Sequence, residues 1–374
     1  MANVAYLRTE NAPQLPPPSS TTGWIAFFRA RLFPTPLEAL ATIILSILIA
    51  WVAYSILHWA VFTAVWSGTD REACAGEGLG ACWPYAWAHV QQWTYGFYPA
   101  DERWRVNIVM LLGGLSMAGL LIPSIPRKGL NAIFFFVLYP FISFVLLMGG
   151  RFGLPFVETT QWGGLLVTLL LSIIGIVVSL PLGILLALGR QSDLPAVKAL
   201  SIAFIELVRG IPLLTVLFMA SVMFPLFMPP GVNIDKLLRA VVGITLFSSA
   251  YMAEVVRGGL QAIPKGQYEA AKALGLPYWK MMGLVVMPQA LRIVIPSIVN
   301  SFIGLFMDTA LVSVIGIFDL LNIVLASFND AKWASPQTGN TGYFTLAVIY
   351  WVFCFAMSRY SAFVERRLNT GYKR

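Results

Sequence analysis

The sequence predicts an all-α polytopic membrane protein with about eight transmembrane helices. Of its 374 residues, 58% are hydrophobic and only 11% are charged, against about 25% charged residues in an ordinary soluble domain. The mean hydropathy is +0.76. Eight stretches are long and apolar enough to cross a bilayer, and Lys and Arg are divided unevenly among the segments that join them. A soluble protein of this size needs a broad charged surface, which this chain cannot supply.

The composition also excludes several classes of function. A net charge of +8 is typical of nucleic-acid binders, but in a membrane protein it reflects basic cytoplasmic loops, so we expect no nucleic-acid partner. Two histidines and three cysteines leave little for a metal centre. The sequence has no phosphate-binding loop and no dinucleotide fingerprint. We therefore expect no catalytic residue, no metal and no cofactor on this chain, with energy supplied by a partner or an ion gradient.

Residues 1–35 precede the first predicted span. Residues 1–22 are polar and Pro-rich, which predicts a disordered tail, and they lack the apolar region of a signal peptide. Residues 23–33 combine bulky apolar side chains with Arg29 and Arg31. That mixture suits a short helix in the headgroup region, and an ordinary juxtamembrane linker is the alternative.

Each predicted span holds about 20 mostly apolar residues, the length needed to cross the hydrocarbon core. Pro181, Pro212 and Pro296 lie inside or near the ends of three spans, where a helix bundle tolerates them as kinks. The predicted spans cover residues 40–63, 106–125, 130–150, 163–189, 197–225, 238–258, 290–317 and 343–364.

The orientation follows from the placement of Lys and Arg, which accumulate on the cytoplasmic side of membrane proteins. If the amino terminus is cytoplasmic, the cytoplasmic segments hold 17 of these residues and the opposite segments hold 7, with Arg209 inside a span. This bias predicts that both termini face the cytoplasm.

Cys74 and Cys82 bracket a glycine-rich segment in the loop after the first span. The orientation above places this loop outside the cytoplasm, where an oxidising compartment would join the two thiols. We expect a disulfide that stabilises the fold by about 2–3 kcal/mol; two reduced thiols are the alternative. Cys354 lies in the last span and is interpreted as an apolar filler.

Residues 264–280 lie between the sixth and seventh spans, and their sequence predicts two short helices that meet at a sharp bend. We call this whole segment the elbow. Residues 266–274 are good helix formers, and Gly275 can take the left-handed position that ends a helix. Pro277 suits the first turn of a second helix. A small apolar face is expected from Tyr268, Ala271, Leu274 and Leu276. We interpret the elbow as a knob that fits a socket on a soluble protein.

The elbow carries a recognisable motif. Glu269-Ala270-Ala271, three residues, Gly275, nine residues and then Val285-x-Met287-Pro288 resembles the EAA loop of bacterial ABC-importer permeases. The usual ending is Ile-x-Leu-Pro, so Val285 and Met287 are conservative departures. The flanking segments, from Tyr251-Met252-Ala253-Glu254 to Asp308-Thr309, resemble the polar amino-acid uptake group of that family, and the resemblance covers roughly 160–365.

The resemblance implies a domain organisation. A five-helix type I ABC-importer permease core is expected over 156–374, with the cytoplasmic EAA loop at 259–289. Three additional amino-terminal helices over 36–155, with a periplasmic loop at 64–105, resemble the M-type subunit of general L-amino-acid (Aap/Bzt-type) importers.

The resemblance also implies a function and a set of partners. The chain is expected to be the non-catalytic permease subunit of an ATP-driven L-amino-acid importer in the bacterial inner membrane. The implied partners are a second related permease that completes a heterodimer, two ATPase subunits that hold ATP and magnesium, and a periplasmic amino-acid-binding protein. Coupling to the ATPases is expected through Tyr268, Glu269, Ala270, Ala271, Leu274, Gly275 and Leu276.

An ion-coupled secondary transporter of small polar solutes is the alternative function. Such a protein is expected to show charged relays or broken helices in corresponding halves, and the eight spans show no convincing halves. An intramembrane enzyme would need a Ser/His, paired Asp or metal constellation, and His58 and His89 have no evident partners in the sequence.

Two spans carry Glu three residues before Arg, at Glu206-Arg209 and at Glu254-Arg257. Residues at this spacing share a helix face, so each pair is expected to be a structural ion pair near a helix end. A role in gating or in the substrate path is the alternative, because ionisable residues in spans are costly and usually face the bundle interior.

The seventh span contains Asp308-Thr309. A lone carboxylate inside a span predicts a functional site, and this one could receive an amino acid's ammonium group; a hydrogen bond to neighbouring helices is the alternative. The resembled group commonly reads Lys-Asp-Thr-Ser/Thr here, whereas this chain has Met307 and Ala310. The residues assigned to the substrate path are Asp308, Thr309, Glu254, Glu206 and Arg209.

Overall fold

The computed structural model describes residues 23–122, 124–232 and 234–369, so the predicted tail at 1–22 lies outside the described residues. The chain divides into two compact units: Met1–Val65 with Glu77–Ala81, and Trp66–Gly76 with Cys82–Arg374. In the described part of the first unit, α1 (Gly23–Leu32) precedes α2 (Pro36–Leu57), which continues through a π-helical turn to Phe62. The helix at α1 was expected, and its place in the headgroup region stays a prediction.

The second unit contains the remaining helices. Those before the fourth long span are α3 (Trp83–Tyr95), α4 (Arg103–Leu121), α5 (Lys128–Ile133) and α6 (Tyr139–Met148). The next are α7 (Gly164–Arg190), α8 (Pro195–Gly210), α9 (Leu213–Phe218), α10 (Phe224–Leu226) and α11 (Lys236–Gln261). The last are α12 (Lys265–Ala273), α13 (Tyr278–Met281), α14 (Met287–Asp308), α15 (Leu320–Ser327) and α16 (Thr338–Asn369).

Among the described residues, seven helices are long and apolar enough to cross a membrane. They cover Pro36–Phe62, Ala100–Leu121, Lys128–Met148, Gly164–Arg190, Lys236–Gln261, Tyr278–Ile315 and Thr338–Arg367. An eighth span is present if a bent pair of helices, Pro195–Gly210 and Leu213–Leu226, is counted as one. The prediction of an all-α chain with about eight spans is therefore confirmed.

The predicted span over 197–225 is present as two helices, and the kink expected at Pro212 is a sharp bend. α8 and the segment that begins with α9 meet at 104°. Ile211 and Pro212 are extended, with ψ of 147° and 145°. Proline disfavours helical backbone in the residue before it and has no N–H for the helix ladder, so the chain turns sharply at this point.

The seventh span begins earlier than the predicted 290. The helix starts at Tyr278, passes through a π-helical turn at Met282–Val286 and continues as α14. It ends as a 3₁₀ helix over Thr309–Ile315. The second arm of the elbow is therefore continuous with a membrane span, because no residue between Pro277 and Asp308 interrupts the helix.

Helix α11 lies at the centre of the second unit, against α7, α8 and α14. Small residues allow these helices to approach closely, as is usual in membrane bundles. A Cβ added to Gly183 of α7 would lie 2.7 Å from Cβ of Met252. One added to Gly259 of α11 would lie 2.7 Å from the carbonyl oxygen of Ala290 on α14. The backbone of α11 is therefore held tightly on two sides.

We expect Gly259→Ala to destabilise the fold by about 1–3 kcal/mol, the usual cost of overpacking, because backbone must move to admit the methyl group. Thermal unfolding of the purified protein in detergent measures this. Gly258→Ala is the matched control, since an added Cβ there has no heavy atom within 4 Å. If both variants unfold at the wild-type temperature, the α11–α14 contact is looser than described.

The structure joins Cys74 and Cys82 in a disulfide with Cα atoms 5.8 Å apart. Both side chains are buried. The backbone N–H of Cys82 donates to Oγ1 of Thr341 at the start of α16, at 2.9 Å. Cys82 immediately precedes α3, so the disulfide attaches the start of this helix to Cys74 and the hydrogen bond attaches it to α16. The helix lies within the segment predicted as a periplasmic loop. Cys354 is a free thiol.

Thiol labelling of denatured, unreduced protein should modify one cysteine, Cys354. After reduction the same protein should take up three labels, because Cys74 and Cys82 become available. Mass spectrometry of the labelled protein reports both numbers, and Cys354→Ala should remove the label from the unreduced sample. Three labels before reduction would show that the bond does not form in cells.

Candidate functional site

The elbow is built by a specific helix ending. α12 stops at Ala273, and Gly275 follows with φ of +71°. The N–H of Gly275 donates to the carbonyl of Lys272 at 2.9 Å, and the N–H of Leu276 donates to that of Ala271 at 3.2 Å. These two bonds form a Schellman motif, which satisfies the last carbonyls of a helix when the residue after it is left-handed. Pro277 then lies immediately before α13, one position earlier than predicted.

The predicted apolar face of the elbow is divided in the structure. Ala271 is buried, and Tyr268 and Leu276 pack against the cluster around it. The hydroxyl of Tyr268 donates to the carbonyl of Leu260 at 3.3 Å, and burial raises the pKa of this phenol. Leu274, by contrast, is 79% exposed. The expectation that all four residues form one outward face is therefore wrong.

The outward surface of the elbow is mixed in character. Polar contact is available from Glu269 and Lys272, which are both exposed. Apolar contact is available from Leu274 and from Trp279, which is 71% exposed. Ala270 is also exposed, and its small side chain allows another surface to approach closely. Exposed large apolar side chains beside polar ones are typical of a docking surface.

A second feature is a cavity of about 400 Å³ between α7, α11 and α14, a volume within the range of small-molecule sites. Its polar lining comes from Ser179, Ser248, Tyr251, Asn300, Ser301 and Asp308, and Leu213 and Phe247 contribute apolar wall. The cavity therefore combines one carboxylate with several neutral hydrogen-bonding groups.

Asp308 is half-buried at the end of α14. In the part of the chain that the structure describes, no Lys, Arg or His nitrogen lies within 4.0 Å of its carboxylate. A carboxylate in a span is costly without a partner, so this group is suited to bind a cation. Thr309 is fully buried and its hydroxyl donates to the carbonyl of Phe306 at 2.7 Å. The prediction that Thr309 takes part in the path is not supported by this geometry.

An ionic cluster lies where α7, α8 and α11 come together. We call it the Glu254 cluster; it consists of Arg190, Glu206, Arg209, Glu254 and Arg257. The Glu254 carboxylate lies 2.8 Å from Arg257, 3.1 Å from Arg190 and 3.6 Å from Arg209. One carboxylate is thus shared by guanidinium groups from three helices.

The predicted pair Glu254-Arg257 is present, and the predicted pair Glu206-Arg209 is wrong. Glu206 contacts Arg190 of α7 at 2.9 Å, whereas Arg209 reaches Glu254 of α11. Spacing along one helix identifies which residues share a face. It cannot identify a stronger partner on a neighbouring helix, which only the packing of α8 against α7 and α11 provides.

Comparisons with known proteins decide the family. Residues 179–370 match the family described as binding-protein-dependent transport system inner membrane component. The inner membrane amino-acid ABC transporter permease protein YhdY of Escherichia coli (strain K12) is 49% identical over 96% of this chain and 97% of its own length. The chain belongs to the amino-acid ABC transporter permeases.

Two further relatives are similar. The glutamate/glutamine/aspartate/asparagine transport system permease protein BztC of Rhodobacter capsulatus is 38% identical over the full length of both chains. A solved amino acid ABC transporter with histidines is 32% identical, covers 55% of this chain and 92% of its own, and has a TM-score of 0.48.

Family membership decides between the functions that the sequence left open. This permease is an inner-membrane, multi-pass subunit of an amino-acid ABC transporter, so the ion-coupled secondary transporter is not its function. The matched region, 179–370, lies within the predicted core at 156–374. The full-length matches extend the relationship to the amino-terminal helices.

Sequence reasoning missed several groups that line the cavity of this permease. Tyr251, Asn300 and Ser301 line the same cavity as Asp308. A signal for one of them was available, because Phe247, Tyr251 and Glu254 follow each other at the spacing of one helix face. Asn300 and Ser301 had no such signal, since small polar residues in a span are common at helix contacts.

Proposed function

We propose that this permease forms the translocation path of an L-amino-acid importer together with a second, related permease. Two ATPase subunits would bind the cytoplasmic elbow, and a periplasmic binding protein would deliver the substrate. ATP and magnesium belong to the ATPases, so this chain supplies no catalytic group and binds no cofactor. The positive charge bias supports a topology in which both termini and the elbow face the cytoplasm.

The observation that carries this proposal is the half-buried Asp308, which lines a cavity with no basic residue in its lining. Among the described residues, its carboxylate makes no ion pair. An amino acid brings an ammonium group, which would neutralise this carboxylate and repay its desolvation. Neutral hydroxyl and amide groups from Ser248, Asn300 and Ser301 line the same cavity. They can hydrogen-bond a polar side chain without selecting its charge, which supports a permease that accepts several amino acids.

The substrate class can be narrowed. BztC, the 38% identical relative, is named as a transport protein for glutamate, glutamine, aspartate and asparagine. We propose the same four L-amino acids as the first candidates here. The cavity, at about 400 Å³, is large enough for any of them, and the partner permease is expected to contribute the facing wall.

Asp308→Asn should lower uptake by about tenfold or more, because the variant keeps the side-chain size and loses a charge-assisted contact to the ammonium group. Uptake of the four radiolabelled candidates by cells that carry the complete importer measures this. Asp193→Asn is the control, since Asp193 is exposed in the turn between α7 and α8. Wild-type uptake of every amino acid by Asp308→Asn would make Asp308 a structural residue.

Gly275→Val should abolish transport while the permease still inserts into the membrane. The left-handed backbone at Gly275 costs roughly 1–2 kcal/mol for an L-residue, and more for a β-branched one, so the elbow should lose its shape. No heavy atom lies within 4 Å of an added Cβ, so the effect would come from backbone strain. Co-purification of the ATPase subunits and substrate-stimulated ATP hydrolysis are the measurements.

Two controls separate backbone strain from side-chain bulk at the elbow. Gly275→Asn should retain coupling, because Asn tolerates the left-handed region. Gly266→Ala should also retain it, since Gly266 lies in α12 with open space around it and no left-handed backbone. Normal uptake by Gly275→Val would show that the elbow shape is not needed for coupling.

A further inference from the structure

One face of α11 connects the cavity to the Glu254 cluster. Phe247 and Tyr251 line the cavity, and Glu254 follows at the next turn of the same face. At a rise of about 1.5 Å per residue, Tyr251 and Glu254 are separated by about 4.5 Å along the helix axis. The end of the cavity nearest the elbow is therefore adjacent to the ionic cluster.

Arg209 is the member of the cluster that reaches the cavity wall. Its guanidinium carbon lies 5.5 Å from the ring centroid of Tyr251, a cation–π distance. Arg209 is near the end of α8, and Leu213, another lining residue, follows four residues later. The sharp bend after α8 lies between the two. Two different elements thus bring this guanidinium to the same end of the cavity.

Arg209 is also the most weakly held cation around Glu254. Its distance of 3.6 Å to the carboxylate compares with 2.8 Å for Arg257 and 3.1 Å for Arg190. Its side chain is 37% exposed, against 25% for Arg190 and 29% for Arg257. If Arg209 left, Glu254 would still contact two guanidinium groups, so no buried charge would remain without a partner.

The substrate of an amino-acid permease needs such a cation. A zwitterionic amino acid that places its ammonium group at Asp308 still carries a carboxylate, and the lining of the cavity contains no basic residue. Guanidinium groups bind carboxylates through paired, charge-assisted hydrogen bonds. Arg209, whose guanidinium lies against the Tyr251 ring, is the member of the Glu254 cluster that contacts a residue of this lining.

We propose that Arg209 binds the α-carboxylate of an amino acid that leaves the cavity, and exchanges Glu254 for that carboxylate. The inference rests on the proposed function, in which the cavity is the substrate path. The exchange replaces one carboxylate partner of Arg209 by another, so the number of ion pairs is conserved. It also removes the direct ionic contact between α8 and α11.

The test compares ligands that differ only in the α-carboxylate. L-glutamine and L-asparagine are each paired with their α-amides, L-glutaminamide and L-asparaginamide. Binding is measured by equilibrium dialysis on the purified complex without its binding protein, at about pH 6, where the α-amino group of all four ligands is protonated. Wild type should bind each amino acid about 10- to 100-fold more tightly than its amide, the range expected for a charge-assisted contact.

Three variants assign that preference to Arg209. Arg209→Gln should weaken binding of the amino acid to the level of its amide and leave binding of the amide unchanged. Arg209→Lys should keep part of the preference. Glu254→Gln removes the competitor for Arg209 and should tighten binding of the amino acid severalfold without affecting the amide. Lys198→Gln, an exposed position on α8, is the matched control and should behave as wild type.

The outcomes distinguish this inference from the function on which it rests. Asp308→Asn should weaken binding of amino acid and amide equally, since both carry the ammonium group. If it does so while Arg209→Gln keeps the wild-type preference, the cavity is the substrate site and the role of Arg209 is overturned. If wild type binds neither amino acid, or Asp308→Asn changes nothing, the proposed substrate site itself fails. A uniform loss for both ligands in Arg209→Gln and Glu254→Gln would make the cluster structural.

Discussion

The close packing of α11 against α7 and α14 is the constraint on which the rest of the site depends. Gly183 and Gly259 leave no room for side chains where these helices meet, so the backbone of α11 is held on two sides. The same helix lines the cavity with Tyr251, carries Glu254 one turn later and ends at Gln261, just before the elbow. A displacement of the elbow is therefore expected to reach the cavity through one rigid element.

Two carboxylates of the membrane region show how environment separates structural from functional charge. Glu254 is partly buried and is shared by three guanidinium groups, which compensate its charge. Asp308 has no cation within 4.0 Å among the described residues and faces a cavity. Both groups are carboxylates, but of the two only the charge of Asp308 is available for a ligand to neutralise.

The elbow combines a fixed inner side with a free outer side. Ala271 and Tyr268 attach α12 to the bundle, and Gln289 of α14 donates to Gln267 at 3.2 Å. Glu269 and Leu274 remain exposed. A short, largely polar helix is marginal by itself, so these inner contacts are what hold its outer surface in a defined position for a partner.

The helical membrane class, the approximate spans and the elbow could be predicted from the sequence, because they depend on local hydropathy and on backbone preferences such as the left-handed state of Gly275. The sequence also identified Asp308 and the glutamates as notable charges. Their partners depend on tertiary structure: Arg209 was predicted to pair with Glu206 on its own helix, but it contacts Glu254 on α11. Tertiary structure also broke the span at Pro212 and placed Tyr251, Asn300 and Asp308 around one cavity. Periodicity defines the faces of a single helix, whereas contacts between helices depend on how those faces meet.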